Sequence, residues 1–216
     1  MSSSEKPWNN HYTREKSILA YPDENLVRML KKFQSNSKIS SNTVAIDLGC
    51  GSGRHLQLFR DIGINKVFGM DISFNALQST QQHHEAYFIQ NDNREIPCKN
   101  EIIDIITAWG SLHYNSKDDM KIMIKEIYRI LKSGGYLMAT FRSVIDTYLK
   151  KGKEIGNNVW ITDLTDIAGS TFSFYDSSEF KNYFSIFSEF KYGYIERSIL
   201  GEPDKIISHW IFEAKK

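Results

Sequence analysis

The amino-acid sequence predicts an α/β fold in which a mostly parallel β-sheet is covered by helices on both faces. Short apolar runs alternate with amphipathic segments through residues 1–140, the order typical of parallel strands joined by crossover helices. The run at residues 43–48 is apolar on both faces and ends at a glycine, as buried parallel strands often do. Residues 191–200 and 206–214 resemble two strands joined by so short a turn that they should pair antiparallel.

Each element of the alternating region follows from its own residue pattern. Leu26, Leu30 and Phe33 recur at helical spacing, and Pro22 with Asp23 marks the start of that first helix. The further parallel strands are expected at residues 66–71, 86–90, 104–109 and 136–141. The helices between them are expected at residues 55–61, 75–84 and 118–131, and the glycines of residues 132–135 should end the last one.

The last third of the chain lacks a single period. Residues 142–174 mix Gly, Asn, Asp and Thr with scattered apolar side chains, whereas residues 176–187 show a helical pattern. No repeat and no second domain can be recognised. We therefore expect one domain over residues 1–216, with an N-terminal cap segment at about residues 6–34 and an insertion at about residues 142–175.

Composition excludes several classes of protein. Lys and Arg total 27 against 26 Asp and Glu, so no global field would attract a nucleic acid or an anionic membrane. Cys50 and Cys98 are too few for a four-ligand metal site and favour free thiols. No apolar run is long enough to span a bilayer, and no signal-peptide pattern opens the chain. We expect a cytoplasmic monomer or homodimer without bound metal.

A glycine-rich loop follows the first predicted strand. Gly49, Gly51 and Gly53 permit positive φ and let the backbone approach a ligand, and the helix behind them points unpaired N–H groups at it. The spacing differs from the GxGxxG arrangement of dinucleotide-binding proteins. Taken alone, this loop is either a tight turn or a nucleotide cradle of unspecified type.

The order of motifs resembles that of class I methyltransferases, which depend on S-adenosylmethionine (SAM). The resemblance rests on Asp-Leu-Gly-Cys-Gly-Ser-Gly-Arg-His from Asp47, on Val67-Phe-Gly-Met-Asp71 and on Leu131-Lys-Ser-Gly-Gly-Tyr-Leu137. Gln90-Asn-Asp-Asn and the segment from Asp104 to Tyr114 resemble two further motifs. The resemblance implies a Rossmann-like sheet of seven strands, in which the seventh strand lies antiparallel between the fifth and sixth. It also implies SAM as cofactor and S-adenosylhomocysteine as product.

The same resemblance assigns residues to the cofactor. Asp71 would accept hydrogen bonds from the ribose hydroxyls, unless it only caps the following helix near Ser73. Asp92 would contact the adenine amino group, and Asn93 would offer its backbone N–H to the ring. The full expected set is Trp8, Tyr12, Asp47, Gly49, Cys50, Gly51, Gly53, Asp71, Ile72, Asp92, Asn93 and Trp109. Trp8 or Tyr12 would pack on SAM, or else staple the first helix.

The acceptor side is less well marked. His113 follows the fourth strand and is the candidate general base, although packing is an equally open interpretation. Arg142, Tyr114 and Trp160 are the candidate acceptor contacts. The basic residues at and after Arg142 suggest an anionic or sugar-like acceptor, unless they form an ordinary solvated surface.

The function predicted from these residues is methyl transfer to an O or N atom of a small molecule: a sugar, a phosphorylated metabolite or a natural-product intermediate. Two alternatives stay open. One is methylation of RNA or protein, which the balanced charge and the lack of a basic domain disfavour. The other is a SAM-binding module without catalysis, because no base can be named securely.

Overall fold

The computed structural model of this chain describes residues 5–14, 18–36 and 38–216. Helices and strands alternate through its first half, as expected. The helices are α1 (Glu5–His11), α2 (Glu24–Ser35), α3 (Leu56–Asp61), α4 (Phe74–Gln81), α5 (Lys117–Ile130) and α6 (Ser177–Tyr183). The strands are β1 (Val44–Leu48), β2 (Lys66–Asp71), β3 (Tyr87–Gln90), β4 (Ile103–Ala108), β5 (Leu131–Ser143), β6 (Lys153–Gly156), β7 (Val159–Ile161), β8 (Thr171–Tyr175), β9 (Glu189–Ile199) and β10 (Glu202–Lys215).

The central sheet has the strand order β3-β2-β1-β4-β5-β10-β9. The strands β1 to β5 pair parallel, whereas β10 runs antiparallel to both of its neighbours, β5 and β9. This arrangement confirms the predicted seven-stranded, mostly parallel sheet with an antiparallel strand near the C-terminal end. The carboxyl ends of β1, β2, β3 and β4 consequently share one edge of the sheet, where α/β folds place their ligands.

Helices cover both faces of the sheet because adjacent strand residues point in opposite directions. Ala45 and Ile105 face α2, α3 and α4, whereas Ile46 and Ile106 face α5 and α6. All four side chains are buried, and each large aliphatic one contributes about 1.5–3 kcal/mol by leaving water. The double apolar face of the strands is thus what holds a helical layer on each side.

Polar caps set where the helices begin. Asp23 accepts the backbone N–H of Asn25 at the start of α2, which is the predicted start. Ser116 caps α5 in the same way. Asp176 and Glu179 form a reciprocal capping box at the start of α6, which ends at Tyr183, before the predicted residue 187.

Two sequence predictions need correction. The helix α5 ends at Ile130, and Leu131 is already extended, so the glycines at 134 and 135 turn the chain within β5 and do not cap α5. Residues 142–175, for which no period was found, contain the antiparallel strands β6, β7 and β8. These strands have four, three and five residues, too few for a periodic signal. They pack on a small cluster of Leu149, Ile167, Phe172 and Phe174.

Among the described helices, none combines the length and apolarity needed to cross a membrane.

Candidate functional site

A cleft lies at the carboxyl edge of the sheet, beside the glycine loop, and is called the loop cleft below. It encloses about 560 Å³, part of which is open to solvent. Its walls come from the ends of β1, β2, β3 and β4 and the segment after β4, with one side chain each from α1 and α5. The lining residues are Trp8, Gly49, Asp71, Ile72, Asn91, Asp92, Asn93, Gly110, Ser111, Tyr114, Asn115 and Met123.

The glycine loop takes a conformation that side chains would disturb. Gly49, Gly51 and Gly53 have φ values of 72°, 52° and 80°, in the left-handed region that favours glycine. A Cβ atom on Gly49 would overlap Ser111, and one on Gly51 would overlap the Tyr12 hydroxyl. The Ser111 hydroxyl donates to the Leu48 carbonyl at 2.7 Å and so holds the loop after β4 against the end of β1. Backbone therefore forms one wall of the loop cleft.

Asp71 is the buried acid at the end of β2. One carboxylate oxygen accepts the N–H of Gly51 at 2.9 Å, and the other accepts the N–H of Ser73 at 2.8 Å. The cap of α4 is Ser73, which accepts the N–H of Ala76, so helix capping does not explain Asp71. Burial raises the pKa of the Asp71 carboxyl to about 6. A carboxylate held here ties the glycine loop to β2 and still lines the loop cleft.

Asp47 lies behind the loop and does not line the cleft. The Thr107 hydroxyl donates to its Oδ1 at 2.6 Å, and the His55 Nδ1 lies 3.7 Å from its Oδ2. That Oδ2 is buried without a hydrogen-bond partner among the described residues. Burial of an unsatisfied carboxylate oxygen is costly, so a group that donates a hydrogen bond to this atom would offset part of that cost.

Asp92 and Asn93 lie at the opposite end of the loop cleft, after β3. Arg94 Nη2 lies 2.6 Å from Asp92 Oδ2, and Arg94 Nη1 lies 3.1 Å from Asp119 Oδ1. The hydrogen bonds that Arg94 donates to both carboxylates raise its pKa, with that to Asp92 contributing most. The side chain of Asn93 accepts a 3.3 Å hydrogen bond from Asn91. The loop after β3 thus has a defined shape.

The helix α1 covers the loop cleft from one side. Asn9 fixes it to α4, since its side-chain oxygen accepts the Ser73 hydroxyl at 2.9 Å and its carbonyl accepts the Asn75 amide at 3.0 Å. Trp8 lines the cleft and contacts Tyr114 edge-on, with 4.7 Å between ring centroids. The Tyr12 hydroxyl occupies the hollow above Gly51, and burial raises its pKa well above the usual range.

Most of the predicted cofactor residues fall into two groups. Those that line the loop cleft are Trp8, Gly49, Asp71, Ile72, Asp92 and Asn93. Tyr12, Cys50, Gly51 and Gly53 form or fill the glycine loop behind it, and burial raises the pKa of the Cys50 thiol. Trp109 lies one position before the shared residue Gly110 and faces a second cleft.

This second cleft, called the arginine cleft below, encloses about 1360 Å³ including open solvent. It adjoins the loop cleft at Gly110 and Tyr114, which line both. Its basic side chains come from four separate segments of the chain. The other lining residues are Leu19, Pro22, Asp23, Glu24, Asn25, Arg54, Trp109, Thr140, Arg142, Ile195, Arg197 and His209.

The predicted acceptor residues are only partly brought together. Arg142 and Tyr114 line the arginine cleft. Trp160 lies on β7 and packs on the same small aromatic cluster as Trp8 and Tyr114, outside the lining of both clefts. Five of the residues that line the loop cleft were missed, because such loop and helix residues carry no distinctive signal; they are Asn91, Gly110, Ser111, Asn115 and Met123.

His113 is fully buried and lines neither cleft. Burial lowers the pKa of its imidazole well below the usual value, and Arg142 and His209 lower it further. A general base must come within hydrogen-bond reach of the proton it removes. In this position the ring packs against Tyr114, at 4.4 Å between centroids, and the packing interpretation fits better. Its role as a base stays a prediction.

Arg54, Arg197 and His209 are basic residues of the arginine cleft that sequence reasoning did not assign. Arg54 directly follows Gly53, so its position in the loop was the available signal. Arg197 lies on β9 and His209 on β10, where His209 stands opposite Arg142 of the neighbouring strand β5. Within the described residues no cluster of His, Cys, Asp and Glu could hold a metal ion.

Comparison with known proteins finds similarity to methyltransferases. Residues 45–135, which include the glycine loop and the acids after β2 and β3, match the sequence family described as a methyltransferase domain. A malonyl-[acyl-carrier protein] O-methyltransferase of Salmonella typhimurium is 30% identical over 96 residues, covering 44% of this chain and 37% of that protein. A demethylmenaquinone methyltransferase of Lactobacillus johnsonii is 28% identical over 134 residues, covering 58% and 53%.

The chain thus spans well under two thirds of the length of these curated relatives. Among solved structures, a SAM-dependent methyltransferase from Anabaena variabilis superposes with a TM-score of 0.68, at 15% identity, over 99% of this chain and 93% of that one. At that identity the likeness bears on fold alone, and the fold is the one built above. Residues 45–135 thus match a methyltransferase domain, and the fold of the described chain is similar to that of SAM-dependent methyltransferases.

Proposed function

We propose that this protein transfers the methyl group of SAM to an oxygen or nitrogen atom of a small-molecule acceptor. The observation that carries the proposal is the pair of adjoining clefts. One is walled by the glycine loop and Asp71, and the other opens from it at Gly110 and Tyr114. A cofactor in the first cleft and an acceptor in the second would meet at those two residues.

The residues of the loop cleft suit the chemistry of SAM. Asp71 has the acceptor oxygens that ribose hydroxyls need, and the loop after β3 offers Asp92 and the backbone of Asn93 to an adenine edge. Gly49 lets Ser111 pack directly against the glycine loop, where a Cβ atom would overlap it. The Oδ2 atom of Asp47, which has no hydrogen-bond partner among the described residues, is a further acceptor behind this loop.

When bound, SAM supplies a methyl group already activated by its sulfonium charge, so positioning of the acceptor supplies much of the catalysis. This chain's part is then to hold the acceptor at the boundary of the two clefts and to keep water out. Trp8 and Tyr114 are placed to exclude water, because both line the loop cleft and their rings contact each other.

The named relatives support a small-molecule acceptor without identifying it. One is named for methylation of a malonyl group on a carrier protein and the other for methylation of a quinone precursor. Methylation of RNA is less well supported, because the net charge of +1 lacks the basic excess of nucleic-acid-binding proteins.

Calorimetry with S-adenosylhomocysteine and turnover with methyl-labelled SAM test the proposal. We expect saturable binding of S-adenosylhomocysteine, none of NADH, and transfer of label to at least one member of a metabolite panel. Binding without transfer to any small molecule, RNA or protein would favour a SAM-binding module. Absence of S-adenosylhomocysteine binding would refute the proposal.

A further inference from the structure

Three guanidinium groups converge on the arginine cleft from segments far apart in the sequence. Arg54 follows the glycine loop, Arg142 lies at the end of β5, and Arg197 lies on β9. All three line the same cleft as His209. Burial lowers the pKa of His209 to about 3, and the positive charges of Arg142, Arg197 and Arg54 contribute further, in that order. Like charges are brought together in a folded protein at a cost, which a bound anion would offset.

The three arginines differ in how firmly they are held. Arg142 is buried and pairs with the buried Asp146, whose carboxylate also accepts the backbone N–H of Leu149 and of Ser208 at 3.0 Å each. Its Nε is buried without a hydrogen-bond partner among the described residues. Arg142 is thus preorganised, with a donor left over in the wall of the cleft.

Arg54 and Arg197 form no ion pair with a carboxylate in the part of the chain that the structure describes. Arg54 also acts on the loop side, because its charge lowers the pKa of Tyr12 against the larger effect of burial. It therefore stands between the glycine loop and His209. A guanidinium without a carboxylate partner in a concave surface is a ready site for a carboxylate or phosphate group.

Carboxylates near the cleft are already engaged. Asp23 caps α2 through the N–H of Asn25, and Glu24 pairs with Arg28 at 2.6 Å on the exposed face of that helix. Asp146 is taken up by Arg142. His209, with its lowered pKa, is neutral at physiological pH and adds a hydrogen-bonding group without a competing charge.

We propose that the arginine cleft binds an anionic group of the methyl acceptor through Arg54, Arg142 and Arg197. The acceptor is then a small molecule bearing a carboxylate or a phosphate, with the methylated atom near Gly110 and Tyr114. This inference rests on the proposed function, because it takes the loop cleft as the methyl-donor site. It narrows the acceptor to one chemical class and excludes neutral sugars and amines as preferred acceptors.

The test uses the whole chain at low salt, in a buffer whose buffering species is a cation and so does not compete with the anions. Malonate and inorganic phosphate are titrated separately, with and without saturating S-adenosylhomocysteine, and binding is followed by NMR chemical shifts. Carboxylate and phosphate acceptors are then compared with their neutral ester or alcohol counterparts in turnover with labelled SAM. We expect saturable binding of at least one anion and preference for the matching anionic acceptor.

The variants Arg197→Met and Arg54→Met are compared with Lys125→Met, which removes one exposed positive charge from α5. Loss of a charge-assisted contact should weaken anion binding and raise KM for the acceptor about tenfold or more, while affinity for S-adenosylhomocysteine changes less than about twofold. Lys125→Met should change neither quantity. Arg197 is exposed on β9, so its variant is expected to fold.

The outcomes separate the two proposals. Normal binding of S-adenosylhomocysteine with no anion binding, or with preference for neutral acceptors, would overturn the anionic acceptor alone. Equal losses in Arg197→Met and Lys125→Met would also overturn it, since they would indicate general screening. Failure to bind S-adenosylhomocysteine would instead refute the methyl-donor site on which this inference rests.

Discussion

The loop cleft and the arginine cleft meet at Gly110 and Tyr114 but are built in different ways. Most of the loop cleft comes from the residues that directly follow β1, β2, β3 and β4, so parallel pairing alone brings them together. The arginine cleft draws on segments from Leu19 to His209, and its chemistry lies in side chains that different elements contribute. The first is a consequence of the fold, whereas the second depends on individual residues.

This difference explains how one fold serves many reactions. A methyl-donor site formed by backbone and strand ends can stay constant while the residues opposite it vary. Binding in the two clefts should accordingly respond to different substitutions. Binding in the loop cleft should change with residues at the strand ends, and binding in the arginine cleft with its charged side chains.

The largest expected effect concerns Asp146. Removing it in Asp146→Ala leaves Arg142 buried without its partner, which typically costs about 3–5 kcal/mol of unfolding free energy. Chemical denaturation would measure the loss, and Asp118→Ala, at an exposed carboxylate, is the control. The folded fraction should still bind S-adenosylhomocysteine. Weakened binding in that fraction would show that the two clefts are coupled more closely than their construction implies.

The next effect concerns Asp71. In Asp71→Ala the ribose hydroxyls would lose both acceptor oxygens, at about 1.5–3 kcal/mol for each hydrogen bond to a charged group. We expect affinity for S-adenosylhomocysteine to fall about 100-fold or more by calorimetry, with Asp71→Asn intermediate. Circular dichroism should show the fold retained in both variants. Unchanged affinity in Asp71→Ala would remove the assignment of the ribose to this acid.

The pH dependence of cofactor binding offers a milder test of the same site. Because burial raises the pKa of Asp71 to about 6, the carboxyl gains a proton as the pH falls through that value and loses an acceptor oxygen. Affinity for S-adenosylhomocysteine should therefore be constant above pH 7 and fall about tenfold by pH 5. Asp71→Asn should be flat over this range. An equal slope in that variant would assign the dependence to another group.

The smallest expected effect concerns Trp8, whose ring either packs on the cofactor or only holds α1 in place. Loss of the ring in Trp8→Ala should raise the dissociation constant of S-adenosylhomocysteine several-fold, consistent with about 0.5–1.5 kcal/mol for an aromatic contact. Trp160→Ala, which removes a ring from the same cluster outside both clefts, should lower the melting temperature without this change. Equal effects of the two variants on binding would favour the staple.

Predictability from sequence follows the same division. The strands of the first half were predictable because double-faced apolar runs and glycine turns are local signals. Asp71, Asp92 and Gly49 could be located because each lies at the end of a strand or within two residues of it. The short strands β6 to β8 could not, because their few residues and small cluster produce no period.

The arginine cleft was only partly predictable for a topological reason. Arg142 was chosen for its position after the predicted fifth strand, whereas Arg197 and His209 join it only because β10 lies between β5 and β9. His113 illustrates the opposite failure. Its position after β4 suggested access to the site, but Tyr114 lines both clefts while His113 is buried behind them.

The position of β10 also bears on the order in which the molecule can assemble. It follows β9 in the chain yet pairs with β5, and His209 meets Arg142 across a long sequence separation. Closing so long a loop is entropically slow, whereas the parallel core from β1 to β5 uses shorter connections. The β9–β10 hairpin should therefore dock late in folding. The methyl-donor site would then form in a nascent core before any acceptor site exists beside it.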